Sequence, residues 1–159
     1  MAGERITGLA EVHVAFDRQT TEMQTKLAMR ATLKGAAIVR NEAKVIARHL
    51  FGSSLRSTGA LLKNISIKRE RTPFGIAQVH VGVKSGKALG KGYKQLGLNK
   101  RSGRVIVTYR DNPFYARFQE RGTRHITKHP FLAPALENKQ EQAEQAMADQ
   151  LRKDIAKLT

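Results

Sequence analysis

The first regular pattern of apolar positions is helical and runs from about residue 21 to residue 50. Apolar and small residues recur there at the spacing of one helix face: Leu27, Ala31, Gly35, Ile38, Val39, Ala43, Ile46 and Leu50. Thr21 and Gln24 form a candidate capping box at the start, and Gly52 would end the helix. The small residues within this stripe indicate that another element packs closely against its middle.

After Gly59 the period of the apolar positions changes to two. This alternation predicts three strands of one antiparallel sheet, carried by Ile65 and Ile67, by Ala77, Val79, Val81 and Val83, and by Val105, Val107 and Tyr109. Pro73-Phe74-Gly75 would connect the first two strands. Residues 84–104, between the second and third strands, are too many for a turn and require a purpose.

Two further helices are predicted towards the C-terminus. A short one begins near Pro113, carries aromatic residues and stops at Gly122. The last covers about residues 134–158, and its apolar face consists of Leu136, Ala143, Met147, Leu151, Ile155 and Leu158. The sequence therefore predicts an α+β fold in which the long N-terminal helix and the C-terminal helix pack on one face of a small antiparallel sheet. We interpret residues 1–159 as a single domain.

The charge is large and unevenly distributed. The formal net charge is +16, and residues 43–110 hold fifteen Lys or Arg and one acid, Glu70. The predicted last helix holds five of the thirteen acids. One region should therefore be strongly electropositive, and composition alone is compatible with either phosphate backbones or an acidic protein as its partner. The N-terminus has no uninterrupted apolar run, so neither a signal peptide nor a membrane anchor is expected.

The most basic segment is residues 84–104. Its seven bases, which occur with five glycines and no acid, are Lys84, Lys87, Lys91, Lys94, Lys100, Arg101 and Arg104. The glycine spacing does not match a phosphate-binding loop, and Gly92 stands where Ser or Thr would bind magnesium. Two interpretations remain open: a mobile solvated loop, or a basic arm that becomes ordered against DNA or another subunit.

No residue pattern indicates a cofactor, a metal or catalysis. His125 and His129 are four residues apart, but Pro130 follows directly, and the chain has no cysteine to complete a site. No Ser, His and acid occur in the arrangement that nucleophilic catalysis needs. Glu120, the one acid near these histidines, is better interpreted as a cap or an ion-pair partner. The chain is therefore predicted not to be an enzyme.

The stretch YARFQERGTRHITKHPFLAPALE, residues 115–137, resembles the C-terminal signature of the "gene product ten" family of lambdoid siphophages. The signature and interface residues that this resemblance implies are Tyr115, Glu120, Gly122, Thr123, Pro130, Phe131, Leu132 and Pro134. TGALLKNI, residues 58–65, is similar to the element that leads into the family's first strand. The resemblance extends from about residue 20 to residue 155.

The same residues have a physical interpretation. Gly122 can adopt a positive φ that ends the aromatic helix, and Thr123 can bond back to the backbone. Pro130 and Pro134 bracket an apolar pair, Phe131 and Leu132, in what reads as a rigid extended hook. The pair would either complete the core of its own chain or dock on another subunit.

The resemblance implies a virion structural protein, made in the bacterial host cytoplasm, that forms a ring in the neck or completes the tail and joins the head, on its portal side, to the tail. Its implied partners are copies of itself, as a hexamer or a dodecamer, and adjacent neck, tail-terminator or tail-tube proteins, with non-specific contact to genome DNA as an addition. No membrane partner is implied. The alternative from charge alone is a basic, non-specific DNA-binding protein, and a nuclease would lack a carboxylate cluster.

Overall fold

A computed structural model describes residues 9–52, 59–70 and 76–157. Its helices and strands are α1 (Leu9–Phe51), α2 (Ala60–Asn64), β1 (Ile65–Glu70), β2 (Gln78–Val83), β3 (Lys94–Leu98), β4 (Val105–Tyr109), α3 (Ala116–Arg121) and α4 (Leu132–Ile155). Two 3-10 helices, Gly86–Leu89 and Lys91–Tyr93, precede β3. The predicted α+β class is confirmed, with a long N-terminal helix, antiparallel strands and a C-terminal helix.

Helix α1 begins at Leu9, well before Thr21, so the predicted capping box is wrong. Residues 9–20 contain neither Gly nor Pro, and nothing in them interrupts the helix that follows. The Thr21 carbonyl accepts a hydrogen bond of 2.7 Å from the Thr25 hydroxyl, one turn further along the same helix. The predicted end is confirmed, because α1 stops at Phe51.

Helices α1 and α4 are antiparallel and form the largest packing interface of the fold. Arg30 of α1 meets Asp154 at the end of α4, and Phe51 meets Phe131 just before α4 begins. The predicted stripe of α1 supplies the buried positions Ala31, Gly35, Val39 and Ala43. A Cβ on Gly35 would lie 3.1 Å from the Ala143 carbonyl oxygen, so the small residues do permit a close approach.

Strands β1 and β2 form one antiparallel pair beneath α1, with Ile65 opposite Val83 and Ile67 opposite Val81. Ile65 is buried, and Val81 and Val83 pack against the core. These two predicted strands are confirmed. Their predicted connection, Pro73-Phe74-Gly75, lies outside the described residues.

The predicted third strand exists, but its pairing was wrong. Strand β4 pairs with β3, with Lys94 opposite Tyr109 and Leu98 opposite Val105, and this pair is separate from β1–β2. The interpretation of residues 84–104 as a loop is therefore wrong as well, because they contain β3 and two 3-10 helices. The sequence did not predict β3, because its apolar alternation consists only of Leu96 and Leu98 and is interrupted by Gly97 in a lysine-rich segment.

Helix α4 begins at Leu132, slightly before the predicted start, and Pro134 lies in its first turn, where proline is tolerated. The predicted apolar face is only partly right. Ala143 is buried, but Leu136 and Ile155 are 53% and 55% exposed. The buried face is rotated towards Ala135 and Asp154, because close packing on α1 favours small side chains. Leu158 lies outside the described residues.

Candidate functional site

The most exposed feature of the described chain is a β-hairpin arm, residues 84–110, built on β3 and β4. Three hydrogen bonds hold its base to the body. The Lys84 N–H donates to the Asn64 carbonyl at 2.9 Å, and the Gly86 N–H donates to the side-chain oxygen of Asn112 at 2.9 Å. The Asn64 side-chain N–H donates to the Asp111 carbonyl at 3.2 Å. Asn64 and Asn112 therefore fix where the arm leaves the body.

The tip of the arm is organised by Asn99. Its side-chain oxygen accepts the Arg101 N–H at 2.9 Å, and its carbonyl accepts the Gly103 N–H at 2.8 Å. Gly103 has a φ of 62°, which favours glycine at this position. The turn consequently carries Lys100, Arg101 and Arg104 on a defined backbone.

All seven predicted basic residues of residues 84–104 are exposed on the arm. Within the described part of the chain, none of the seven takes part in an ion pair. Residues 84–110 contain no acid that could neutralise them locally. The arm therefore presents uncompensated positive charge, as the sequence predicted. The charge is carried by a β-hairpin and not by the expected loop.

One face of the arm is aliphatic, which the sequence analysis missed. The register places Leu96 opposite Val107 and Leu98 opposite Val105, so all four side chains lie on one face. They are exposed by 71%, 48%, 69% and 66%, respectively. An isolated two-stranded hairpin is marginally stable in water. The signal in the sequence was the matching alternation on either side of Asn99-Lys100-Arg101-Ser102-Gly103-Arg104.

The signature region contains a helix cap supplied from another helix. The Glu120 carboxylate of α3 accepts the backbone N–H of Phe131 at 2.9 Å, of Leu132 at 3.1 Å and of Ala133 at 3.1 Å. These donors lie at the start of α4, where N–H groups lack partners inside the helix and the helix dipole favours negative charge. The interpretation of Glu120 as a cap is confirmed.

The residues between α3 and α4 form a closed turn. Gly122 has a φ of 74°, and an added Cβ would come within 3.2 Å of both the Ile126 carbonyl oxygen and Lys128. The Thr123 N–H donates to the Ile126 carbonyl at 2.9 Å, and the His129 N–H donates to the Gln119 carbonyl at 2.7 Å. The predicted positive φ of Gly122 is confirmed. This turn brings Glu120 to the start of α4.

The two residues of the predicted hook have different environments. Phe131 is fully buried and meets Phe51 edge to face, with ring centroids 6.1 Å apart. It belongs to the core of its own chain, which confirms the first of the two interpretations for Phe131, and it is not presented to another subunit on an extended hook. Leu132 is partly buried against that core, as is Tyr115. Pro130 and Pro134 are partly buried on either side.

An apolar groove of about 490 Å³ lies between α1, β2 and α4. Six of the residues that line it are Gly35, Val39, Val79, Val81, Leu136 and Met147. Three exposed glutamates, Glu137, Glu141 and Glu144, follow α4 at spacings of four and three residues, which places them on one stripe. Leu136 and Ala143, which line the groove, directly precede Glu137 and Glu144. None of the three glutamates lines the groove, but their stripe runs along the exposed side of α4 beside the groove-lining positions, and we call it the acidic stripe.

A second basic surface lies between the middle of α1 and the end of α4. The cleft has a volume of about 750 Å³ and includes Arg30, Lys34, Lys153 and Lys157 in its lining. The neighbouring Asp154 carboxylate is buried and lies 3.4 Å from the Arg30 guanidinium. Neither Asp154 oxygen receives a hydrogen bond from the described residues, so this contact is ionic only.

His125 and His129 are both exposed. In residues 9–52, 59–70 and 76–157, no three His, Cys, Asp or Glu side chains are grouped as metal ligands. Glu120 is committed to backbone N–H groups of α4. The site residues predicted from the sequence thus fall into two places in the fold, the arm and the capping turn. The groove is a third feature, which the sequence did not predict.

None of the described helices has the length and apolar character to cross a membrane. No curated protein and no solved structure matches the chain significantly. A family model described as "Bacteriophage HK97-gp10, putative tail-component" matches residues 15–122. The match runs from α1 to the glycine that ends α3, and it includes the whole arm. Residues 123–137 of the predicted signature lie beyond it. Because the matched residues make up more than half of the chain, the chain belongs to the HK97-gp10-like family of bacteriophage tail components.

Proposed function

We propose that this tail component forms a ring in the neck or completes the tail, and joins the head, on its portal side, to the tail. The observation that carries the proposal is the family match over residues 15–122. A joining protein must contact more than one neighbour, and the described chain offers separate surfaces for this. These are the basic arm, the groove with its acidic stripe, and the basic cleft beside Asp154.

The proposed partners are copies of the chain itself, in a hexamer or a dodecamer, and adjacent neck, tail-terminator or tail-tube proteins. The electrostatics support contacts between proteins. Positive charge is concentrated on the arm and negative charge on the acidic stripe of α4, so both signs are available for complementary interfaces. The corresponding location is the neck region of the virion.

We infer that the chain acts by assembly, without catalytic turnover. The acid nearest to the exposed histidines, Glu120, has its carboxylate engaged by three backbone N–H groups. A carboxylate in that position stabilises a helix start and is poorly placed to accept a proton from a substrate. The fold thereby gives Glu120 a structural role.

The second candidate is a non-specific DNA-binding protein, which the seven exposed bases of the arm favour. Its mechanism would be phosphate neutralisation, so binding would weaken steeply as salt concentration rises. The aliphatic face of Leu96, Leu98, Val105 and Val107 has no role in such a contact. We therefore favour protein partners.

The proposal is tested in the phage that encodes the chain by neutralising five bases of the arm. The substitutions are Lys87→Gln, Lys91→Gln, Lys94→Gln, Lys100→Gln and Arg101→Gln. Because all five side chains are exposed and unpaired among the described residues, the fold should be retained. The expected result, by electron microscopy, is an accumulation of separate heads and tails.

A matched control removes the same charge from exposed positions outside the arm, the groove and the basic cleft: Arg48→Gln, Lys63→Gln, Arg69→Gln, Arg121→Gln and Arg124→Gln. It should yield joined particles. Complete infectious virions at normal yield from the arm variant would contradict the proposed role of the arm. Duplex DNA binding by the purified chain that is lost in the arm variant, together with normal joining, would favour the second candidate.

A further inference from the structure

We propose that the arm of one copy docks, aliphatic face first, into the groove of a second copy, with the bases of its tip against the acidic stripe. This inference names the subunit contact of the proposed ring and so rests on the proposed function for its role in the virion. The two surfaces that would meet, the arm and the groove, are both present on the described chain and lie at different places in the fold.

The arm has the features of an interface element that lacks its partner. Strands β3 and β4 pack mainly on each other and on the short helix Gly86–Leu89 at their base. Four large aliphatic side chains on one face are between 48% and 71% exposed, although burial would stabilise each of them. A contiguous apolar patch bordered by charge is typical of a protein-binding surface.

The groove has the complementary features. Its walls carry aliphatic side chains of α1, β2 and α4, and Leu136 stays 53% exposed at its border. Burial of Leu136 by a neighbouring copy would therefore complete the apolar lining of the groove. Strand β2 pairs only with β1 among the described strands, so its other edge is also available to a neighbour.

Charge and length favour a second copy as the occupant. The tip carries Lys100, Arg101 and Arg104, and the acidic stripe carries Glu137, Glu141 and Glu144. Glu137 and Glu144 lie seven positions apart, so the acidic stripe spans about 10 Å, and a strand of five residues spans about 17 Å. The arm is therefore long enough to reach along the whole stripe. Duplex DNA could neutralise the tip, but it offers no apolar surface to the four aliphatic side chains.

The contact joins two different surfaces, so each copy can donate its arm to one neighbour and receive an arm from another. Such heterologous contacts generate rings when the rotation between copies closes. The contact is thus compatible with a ring, and copies of this one protein are sufficient to form it.

The first test uses the absence of cysteine from the chain. Purified Leu98→Cys and Leu136→Cys variants are mixed and treated with a short bismaleimide. We expect a cross-linked dimer that contains one chain of each variant. The control pair is Thr108→Cys with Leu136→Cys, because Thr108 lies on the opposite face of the arm. An equal yield from the control pair, or a cross-link formed within one chain of the Leu98→Cys, Leu136→Cys double variant, would overturn the proposal.

The second test exchanges the charges and measures the oligomeric state by sedimentation velocity. Lys100→Glu, Arg101→Glu and Arg104→Glu should reduce self-association at least tenfold, as should Glu137→Lys, Glu141→Lys and Glu144→Lys. Mixing the two triple variants should restore heterologous pairs, since each then meets an opposite charge. Circular dichroism verifies that both variants are folded. Failure of the mixture to associate would overturn the proposal, as would a wild-type chain that stays monomeric or associates only on duplex DNA.

These outcomes are separable from those of the proposed function. If the purified chain associates through arm and groove but phage that lack the chain still join heads to tails, the proposed function is wrong and the contact stands. If the purified chain does not self-associate but the arm variants fail to join heads to tails, the contact is wrong and the proposed function stands.

Discussion

Gly35 of α1 lies directly beneath Met147 of α4: a Cβ built on Gly35 would be 2.9 Å from both the Cγ and the Cε of that methionine. Replacing Gly by Ala within a helix gains about 1 kcal/mol of propensity, whereas overpacking a core costs about 1 to 3 kcal/mol. We expect Gly35→Ala to lower the free energy of unfolding by up to about 2 kcal/mol. Urea denaturation measures it.

A double-mutant cycle tests the cause of that loss. Met147→Ala should cost less in the Gly35→Ala background than in the wild type, because the smaller side chain relieves the overlap. Lys34→Ala, at the adjacent exposed position, is the control for helix propensity. Additive effects of the two substitutions would show that Gly35 and Met147 are not in close contact.

Phe131→Ala should destabilise the purified chain by about 3 to 5 kcal/mol, the usual cost of truncating a core phenylalanine. The reason is its complete burial and its edge-to-face contact with Phe51. Leu132→Ala should cost clearly less, because Leu132 is only partly buried. Thermal melting compares the two variants, and a Phe131→Ala chain that melts like the wild type would place that ring outside the core.

Glu120→Ala should destabilise the fold by about 0.5 to 2 kcal/mol, the range for loss of a helix cap. Three N–H groups at the start of α4 lose their acceptor. Glu120→Gln retains one side-chain oxygen and should have an intermediate effect. The exposed Glu137→Ala is the control and should change stability by less than about 0.5 kcal/mol. Equal unfolding midpoints for Glu120→Ala and Glu137→Ala would argue against the cap.

Replacing His125 and His129 together by Ala should leave the metal content of the purified chain unchanged. Both histidines are exposed, and the one hydrogen bond described above for His129 uses its backbone N–H. Elemental analysis after dialysis against zinc measures the difference between variant and wild type. Stoichiometric zinc in the wild type that is absent from the variant would refute the prediction.

The sequence predicted most of what depends on local pattern. The small-residue stripe of α1, the strands at Ile65 and Val81 and the glycine that ends α3 follow from periodicity or from backbone geometry, and the structure has all of them. The cap was also foreseeable, because a carboxylate near a turn has few other roles.

What the sequence did not predict depends on tertiary contacts. Strand β4 was assigned to the wrong sheet, because five alternating residues in a glycine-rich basic segment give too weak a signal for its true partner, β3. The buried face of α4 was misassigned, because packing on Gly35 selects Ala143 and leaves the larger Leu136 exposed. Burial of Phe131 depends on Phe51, which is distant in sequence.

The attachment of the arm through Asn64 and Asn112 has a geometric consequence. A head-to-tail contact carries no built-in number of members, so in the proposed contact the angle at which each arm leaves its body would set the rotation from one copy to the next. A few degrees of change at this joint, repeated around the assembly, separate a closed circle from an open helical filament. In the proposed ring, the side-chain hydrogen bonds of Asn64 and Asn112 would thus influence the copy number, although neither residue belongs to the aliphatic face or the tip of the arm or to the groove.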